Sequence, residues 1–157
     1  MPPVNIAAPA FEYDDDDPDG FRSGLFRLGP LLGADQLGAS VYEVPAGQSI
    51  CPYHYEHGEE EWLLVLEGSP SLRTPAGVQT LAPWDMVCFP IGPDGAHLVR
   101  NDTDETVRVL MFSTRCFPAV TSYPDSDKVG IFTADRRENL MVRRESGVDY
   151  YAGETGG

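Results

Sequence analysis

Basic residues are scarce in this chain. Eleven Lys and Arg stand against twenty-five Asp and Glu in 157 residues, a formal net charge of −14. Phosphate backbones are bound by clustered Lys and Arg, so this balance argues against nucleic acid as a partner. The one basic cluster, Arg136, Arg137, Arg143 and Arg144, is interleaved with Glu138 and Glu145 and reads as a salt-bridged surface. Cysteine is also rare. Cys51, Cys88 and Cys116 are odd in number and lack a C-x-x-C spacing, which excludes a disulfide framework and a zinc knuckle. They read as reduced, mostly buried thiols. No apolar run is long enough for a membrane span. The opening Met1-Pro2-Pro3-Val4-Asn5 has neither a basic nor an apolar leader region, so a cytoplasmic protein is expected.

What the chain does have is turn chemistry. Sixteen Gly and fourteen Pro punctuate short runs rich in Val, Leu, Phe and Tyr. That pattern predicts many short antiparallel strands, near 23–29, 38–45, 48–56, 61–67, 70–73, 78–81, 86–90, 96–101 and 106–114. A helix is expected only over 135–145, after Asp135 as a cap. The length suits one domain with its own core, and the strand spacing points to an all-β sandwich or barrel. Glu12, Asp14, Asp15, Asp16, Asp17 and Asp19 place six acids within eight residues. The run repels itself and reads as a solvated arm over 1–20; it lacks the glycine and ligand spacing of an EF-hand calcium loop. Residues 21–117 read as the barrel. Residues 118–157 read as an irregular extension laid against the barrel or a partner subunit.

The chain has only three histidines, and two of them fall in His54-Tyr55-Glu56-His57-Gly58-Glu59-Glu60-Glu61. The third, His97, follows a Pro-x-Gly turn. Alternate residues of a strand share a face, so a His54 that points inward brings Glu56 with it and turns His57 away. After a turn at Gly58, Glu61, Leu63 and Val65 share a face on the returning strand. Glu61 can then come back opposite His54 and Glu56, and a strand carrying His97 could close the site. Imidazole and carboxylate are suitable ligands for a divalent first-row metal. A bulge that rotates His57 inward is the alternative, and would give three histidines. Tyr53 and Tyr55 read as packing residues and Arg73 as a surface arginine. Cys51 and Cys88 are candidates to line a pocket. Asn101 and Gly92 read as turn and strand-edge structure.

These residues resemble the two motifs of the cupin superfamily. The first motif runs glycine, His-x-His, glutamate, glycine. Here it reads Gly47, six residues, His54-Tyr55-Glu56, four residues, Glu61, six residues, Gly68. The second runs glycine, Pro-x-Gly, histidine, asparagine. Here it reads Trp84, five residues, Pro90-Ile91-Gly92, four residues, His97, three residues, Asn101. The resemblance covers roughly 38–115 and implies a double-stranded β-helix, the jelly-roll-like cupin barrel, with irregular N- and C-terminal extensions. It carries over a ligand set of His54, Glu56, Glu61 and His97 for one divalent metal ion. The departures are specific. Glu56 stands where most cupins have a second histidine, Trp84 replaces a glycine, and the loop before His97 is two residues longer than the family's. Two carboxylates neutralise a divalent ion and favour harder metals. Iron(II) or manganese is therefore expected ahead of zinc or nickel.

A metal at a barrel mouth implies a metal-dependent enzyme acting on a small organic substrate. Dioxygenase-type oxidation stands slightly ahead of isomerase or decarboxylase chemistry, and Glu56 is the candidate proton carrier if it is not a ligand. No further catalytic group is identifiable. The fold also hosts ligand sensors and storage proteins, so a non-catalytic small-ligand binding protein and a structural dimer with a vestigial site are the alternatives. A homodimer is expected, with the arm and the extension as contributors, and no nucleic-acid or membrane partner.

Overall fold

A computed structural model describes residues 3–156. Met1, Pro2 and Gly157, the outermost residues of the arm and the extension, lie outside the described residues. The chain is nearly all β. Strands β1 (Gly24–Arg27), β2 (Leu37–Val44), β9 (Val107–Thr114), β4 (Glu61–Glu67) and β7 (Met86–Phe89) form an antiparallel sheet in the order β1-β2-β9-β4-β7. A second sheet contains β6 (Gly77–Thr80), β5 (Ser71–Thr74) and β8 (Leu98–Arg100). A third contains β12 (Leu140–Arg143), β11 (Lys128–Phe132), β10 (Ala119–Tyr123) and β3 (Tyr55–Glu56). Single bridges, Ser49 to Arg100 and His54 to His97, tie the segment before β3 to β8. The second and third sheets thereby continue into one another, and the whole is the cupin barrel that the two motifs imply. One short helix, α1 (Gly29–Leu32), ends on Gly33. No helix among the described residues is long and apolar enough to cross a membrane.

Alternation builds the core. On β4, Leu63 and Val65 are wholly buried, and on β9 Val107 and Val109 are too, while Arg108 between them reaches outward. Phe89 of β7 joins them on the same sheet, and Leu72, Val99 and Leu81 close the cluster from the other wall. β-Branched and aliphatic side chains on facing strands suit such a layer. Outside the core, Arg108 donates from Nε and Nη2 to Glu43 Oε2 at 2.9 and 2.6 Å, across the β2–β9 pair. Tyr13 donates to the other oxygen of Glu43 at 2.7 Å, and Glu12 pairs with Leu25 through two backbone bonds of 3.0 and 2.8 Å. The acidic arm is thus pinned at Glu12 and Tyr13, while Asp14, Asp15, Asp16 and Asp19 stay in solvent.

Three stretches differ from the expectations. Residues 48–56 form only the two-residue β3, because Pro52 and the turn around it break the ladder. Residues 118–157 contain three strands rather than an irregular run. The expected helix over 135–145 is a 3₁₀ turn at Arg136–Glu138, then β12, then a second 3₁₀ turn that begins at Arg144. Asp135 does cap that turn, accepting from the Arg137 N–H at 3.1 Å, but pairing of Leu140–Arg143 with β11 outcompetes helical continuation. Trp84 adopts φ +75° in the turn after Pro83, the left-handed region that a glycine enters without steric cost.

Asn101, the last residue of the second motif, has no exposed surface. Its amide donates to Val44 O at 2.8 Å and Glu105 O at 2.7 Å, and its Oδ1 accepts from the Thr103 N–H and hydroxyl at 2.9 and 2.7 Å. It is a structural plug between strands. Asn101→Ala removes the side-chain donor to Val44 O and one of the two side-chain donors to Glu105 O, and is expected to cost about 2–4 kcal/mol in urea unfolding. A loss under about 0.5 kcal/mol would show that the network is replaceable.

Candidate metal centre

His54 and His97 face each other across an antiparallel bridge. The His54 N–H donates to His97 O at 3.1 Å, the His97 N–H donates to His54 O at 2.8 Å, and the rings are 4.5 Å apart. Each Nδ1 is fixed by a carbonyl two residues back, Pro52 O for His54 and Gly95 O for His97, both at 2.9 Å. A carbonyl only accepts, so Nδ1 carries the hydrogen and Nε2 is directed to the centre, the arrangement by which ligating histidines are oriented. The longer loop before His97 supplies that carbonyl through a 3₁₀ turn at Pro93–Gly95. Gly95 has to be glycine there, since a Cβ would sit 1.8 Å from Pro90 O. Phe89 stacks on the His97 ring at 3.7 Å and 8°. Glu61 opens β4, between Phe89 of β7 and Ser113 of β9, on the same face as Leu63 and Val65.

The three residues bring one ligand atom each to within 4.8 Å of one another. Glu61 Oε2 is 3.6 Å from His54 Nε2 and 3.7 Å from His97 Nε2. These gaps exceed a good hydrogen bond but fall below the roughly 4.2 Å that two ligands about 2.1 Å from a common ion can span. Glu61 Oε2 and His97 Nε2 are buried with no hydrogen-bond partner among the described residues. Burying polar atoms unpaired costs about 1–3 kcal/mol each, and a bound cation would satisfy both. The residues therefore fit a metal ion. Electrostatics agree at His97 and Glu61. Burial, with the charge of His54, pushes His97 down to about 4, leaving it a neutral imidazole. Burial opposes the Glu61 charge, but the two imidazoles hold its carboxyl below the usual range. Burial also opposes a charge on His54, yet Cys51 at 3.5 Å and the Glu61 carboxylate outweigh it and raise the ring to about 11.

Glu56 and His57 take opposite faces, as strand alternation predicts. Glu56 Oε1 lies 3.8 Å from His54 Nε2. Burial, with the neighbouring charge of Glu61, raises its carboxyl to about 7 against the Thr121 hydrogen bond. His57 is exposed and turns outward, with Nε2 at 2.8 Å from Ser122 Oγ. Arg73 is held by Asp125 in a two-pronged ion pair of 2.6 and 2.8 Å and covers the Tyr53 ring at 3.9 Å. Both are structural, as read from the sequence. Cys51 lines the cavity; Cys88 does not contribute to it.

That cavity, about 460 Å³, opens beside His54, Glu56 and Glu61. Among the cavity residues that escaped the sequence reading, two touch the candidate ligands. Thr121 hydrogen-bonds Glu56, and Tyr123 stacks on the His54 ring at 6.1 Å and 27°. Both lie on β10. Ala119, Thr121 and Tyr123 do alternate in the sequence, but Pro118 and Pro124 bracket them and suggest a loop.

Comparison with known proteins shows what the chain is similar to. The Cupin domain family matches residues 40–113. Among solved structures, a candidate sugar phosphate isomerase from Acidithiobacillus ferrooxidans is 28% identical, with a TM-score of 0.75 over 83% of this chain and 81% of that one. A sugar phosphate isomerase of the cupin superfamily from Silicibacter pomeroyi is 24% identical, with a TM-score of 0.82 over 93% and 95%. A polyketide cyclase from Streptomyces resistomycificus is 23% identical, with a TM-score of 0.62 over 76% and 83%. No curated protein matches the chain.

Proposed function

We propose that the chain, whose residues 40–113 match the Cupin domain family and whose fold is that of cupin structures, is a metal-dependent enzyme acting on a small organic substrate in the cavity beside His54 and Glu61. The observation that carries this reading is the pair of buried, unpartnered atoms, Glu61 Oε2 and His97 Nε2, gathered with His54 Nε2. We assign His54, Glu56, Glu61 and His97 as ligands of one divalent ion. Two carboxylates beside two imidazoles favour iron(II) or manganese(II), with zinc and nickel behind. When bound, the ion supplies Lewis acidity, or with iron a redox centre, to substrate oxygens. The chain's own work is positioning. Two backbone carbonyls orient the imidazoles, Phe89 and Tyr123 flank the rings, and Met111, Phe117 and Phe132 give the cavity an apolar wall.

Isomerisation of a small hydroxy-carbonyl compound is the preferred chemistry. Its support is the Acidithiobacillus relative, which is named as a candidate sugar phosphate isomerase and shares 28% of its residues over most of both chains. Oxidation with O₂ is the second reading. His54, His97 and Glu61 by themselves are the two imidazoles and one carboxylate of non-haem iron(II) oxygenases, so this reading requires Glu56 to stand off the ion.

Adding Mn(II), or Fe(II) without air, at about a hundredfold over Kd is expected to raise the melting temperature by roughly 5–10 °C, with one ion per chain. His97→Ala and Glu61→Ala are expected to lose both the ion and the shift. Absence of metal and of any thermal shift in the native protein contradicts the metal assignment. Sugar-interconversion assays and O₂ uptake by the Fe(II) form over phenolic, thiol and keto-acid substrates then separate the two chemistries. Silence in both, with tight ligand binding, would point to a non-catalytic binding protein.

We also propose a cytoplasmic homodimer. Three free thiols suit a reducing compartment. Leu140 and Met141 on β12, with Val148, Tyr150 and Tyr151 beyond it, are all exposed and offer an apolar surface to a second copy. Light scattering is expected to return twice the 17.2 kDa of one chain. A single-chain mass at high concentration overturns the dimer.

A further inference from the structure

Glu56 is held in place from outside residues 40–113. In the β3–β10 pair, Thr121 stands directly opposite Glu56. Its hydroxyl lies 2.8 Å from each oxygen of the Glu56 carboxylate and shares its one hydrogen between them. Thr121 is 3% exposed and the Glu56 side chain 10%, so water does not compete freely for this contact. On the outer face of the same pair, the Ser122 hydroxyl accepts from Arg144 Nη2 at 2.8 Å and meets His57 Nε2 at 2.8 Å. Two adjacent residues of β10 therefore fix two adjacent residues of the β3 edge on opposite faces.

The need for such a hold is physical. β3 is only two residues long, and a glutamate loses considerable rotamer freedom when its carboxylate is placed. A donor that faces both oxygens from the neighbouring strand selects the rotamer in which Oε1 approaches His54 Nε2. We propose that Thr121 is the positioning residue for Glu56, so that the fourth ligand depends on a strand of the C-terminal extension. This rests on the ligand assignment made above.

Mn(II) titration calorimetry and Mn(II) electron paramagnetic resonance on the full chain test it. Thr121→Val keeps the shape of the side chain and removes the donor. It is expected to weaken Mn(II) binding about 10–100-fold, the usual cost of removing a group that supports a metal ligand, and to shift the spectrum toward that of Glu56→Gln. Thr121→Ser restores the donor and is expected to restore both readouts. In the Glu56→Gln background, Thr121→Val is expected to change nothing further. Native affinity and spectrum in Thr121→Val overturn the proposal. So does a loss that adds in full to that of Glu56→Gln, or a lowered melting temperature with an unchanged spectrum. His97→Ala separates the levels. If it binds Mn(II) like the native chain, the metal assignment fails and this role fails with it. If His97→Ala loses the ion while Thr121→Val does not, only the Thr121 role is lost.

Discussion

The reciprocal backbone pair between His54 and His97 is the constraint on which the site depends. Two hydrogen bonds of 3.1 and 2.8 Å, continued by the Ile50 N–H to Val99 O at 3.1 Å, hold the segment before β3 in register with β8. That register sets the ring separation, allows each Nδ1 to reach a carbonyl, and aims both Nε2 atoms at Glu61. The barrel serves the pair. The wholly buried Leu63 and Val65 fix β4 in the core, which fixes Glu61 on the same face one turn of the pleat away. Asn101 locks the far end of β8 to the β2 terminus through Val44 O.

The cost of this arrangement is a pocket of polar atoms with nothing to bond to. Folding leaves Glu61 Oε2 and His97 Nε2 buried and unpartnered, and such atoms persist where a site needs them. Glu56, standing where most cupins have a histidine, makes the same pocket richer in carboxylate. An imidazole can be fixed through its far ring nitrogen by a backbone carbonyl, as His54 and His97 are. A carboxylate only accepts, so a backbone carbonyl cannot fix it and it needs a donor, which Thr121 provides from another strand. The substitution and the strand β10 are in this sense one design.

Much of the site was legible in the sequence because strand alternation is a strict rule. Parity alone turns His54 and Glu56 inward and His57 outward, and aligns Glu61 with Leu63 and Val65. Glycine and proline spacing marked most of the other strands. Parity fails where the ladder is interrupted. Pro52 leaves most of 48–56 outside regular structure, although His54 still finds its partner through a single bridge. It also fails where pairing is long-range. β10 meets β3 across 65 residues of chain in the Glu56–Thr121 contact, and nothing local in Ala-Val-Thr-Ser-Tyr announces that neighbour. Asp135 is a sound cap signal, yet β11 decides the fate of the residues after it. Local chemistry proposes such segments, and tertiary pairing disposes of them.

The central claim is that one divalent ion sits among these side chains with Glu56, not His57, turned toward it. Diffraction from crystals of the Mn(II)-loaded protein, recorded across the manganese absorption edge, tests it directly. The expected result is a single anomalous peak bonded to His54 Nε2, His97 Nε2, Glu61 and Glu56, with His57 still against Ser122. A peak elsewhere, or an ion ligated by His57 in place of Glu56, would contradict it.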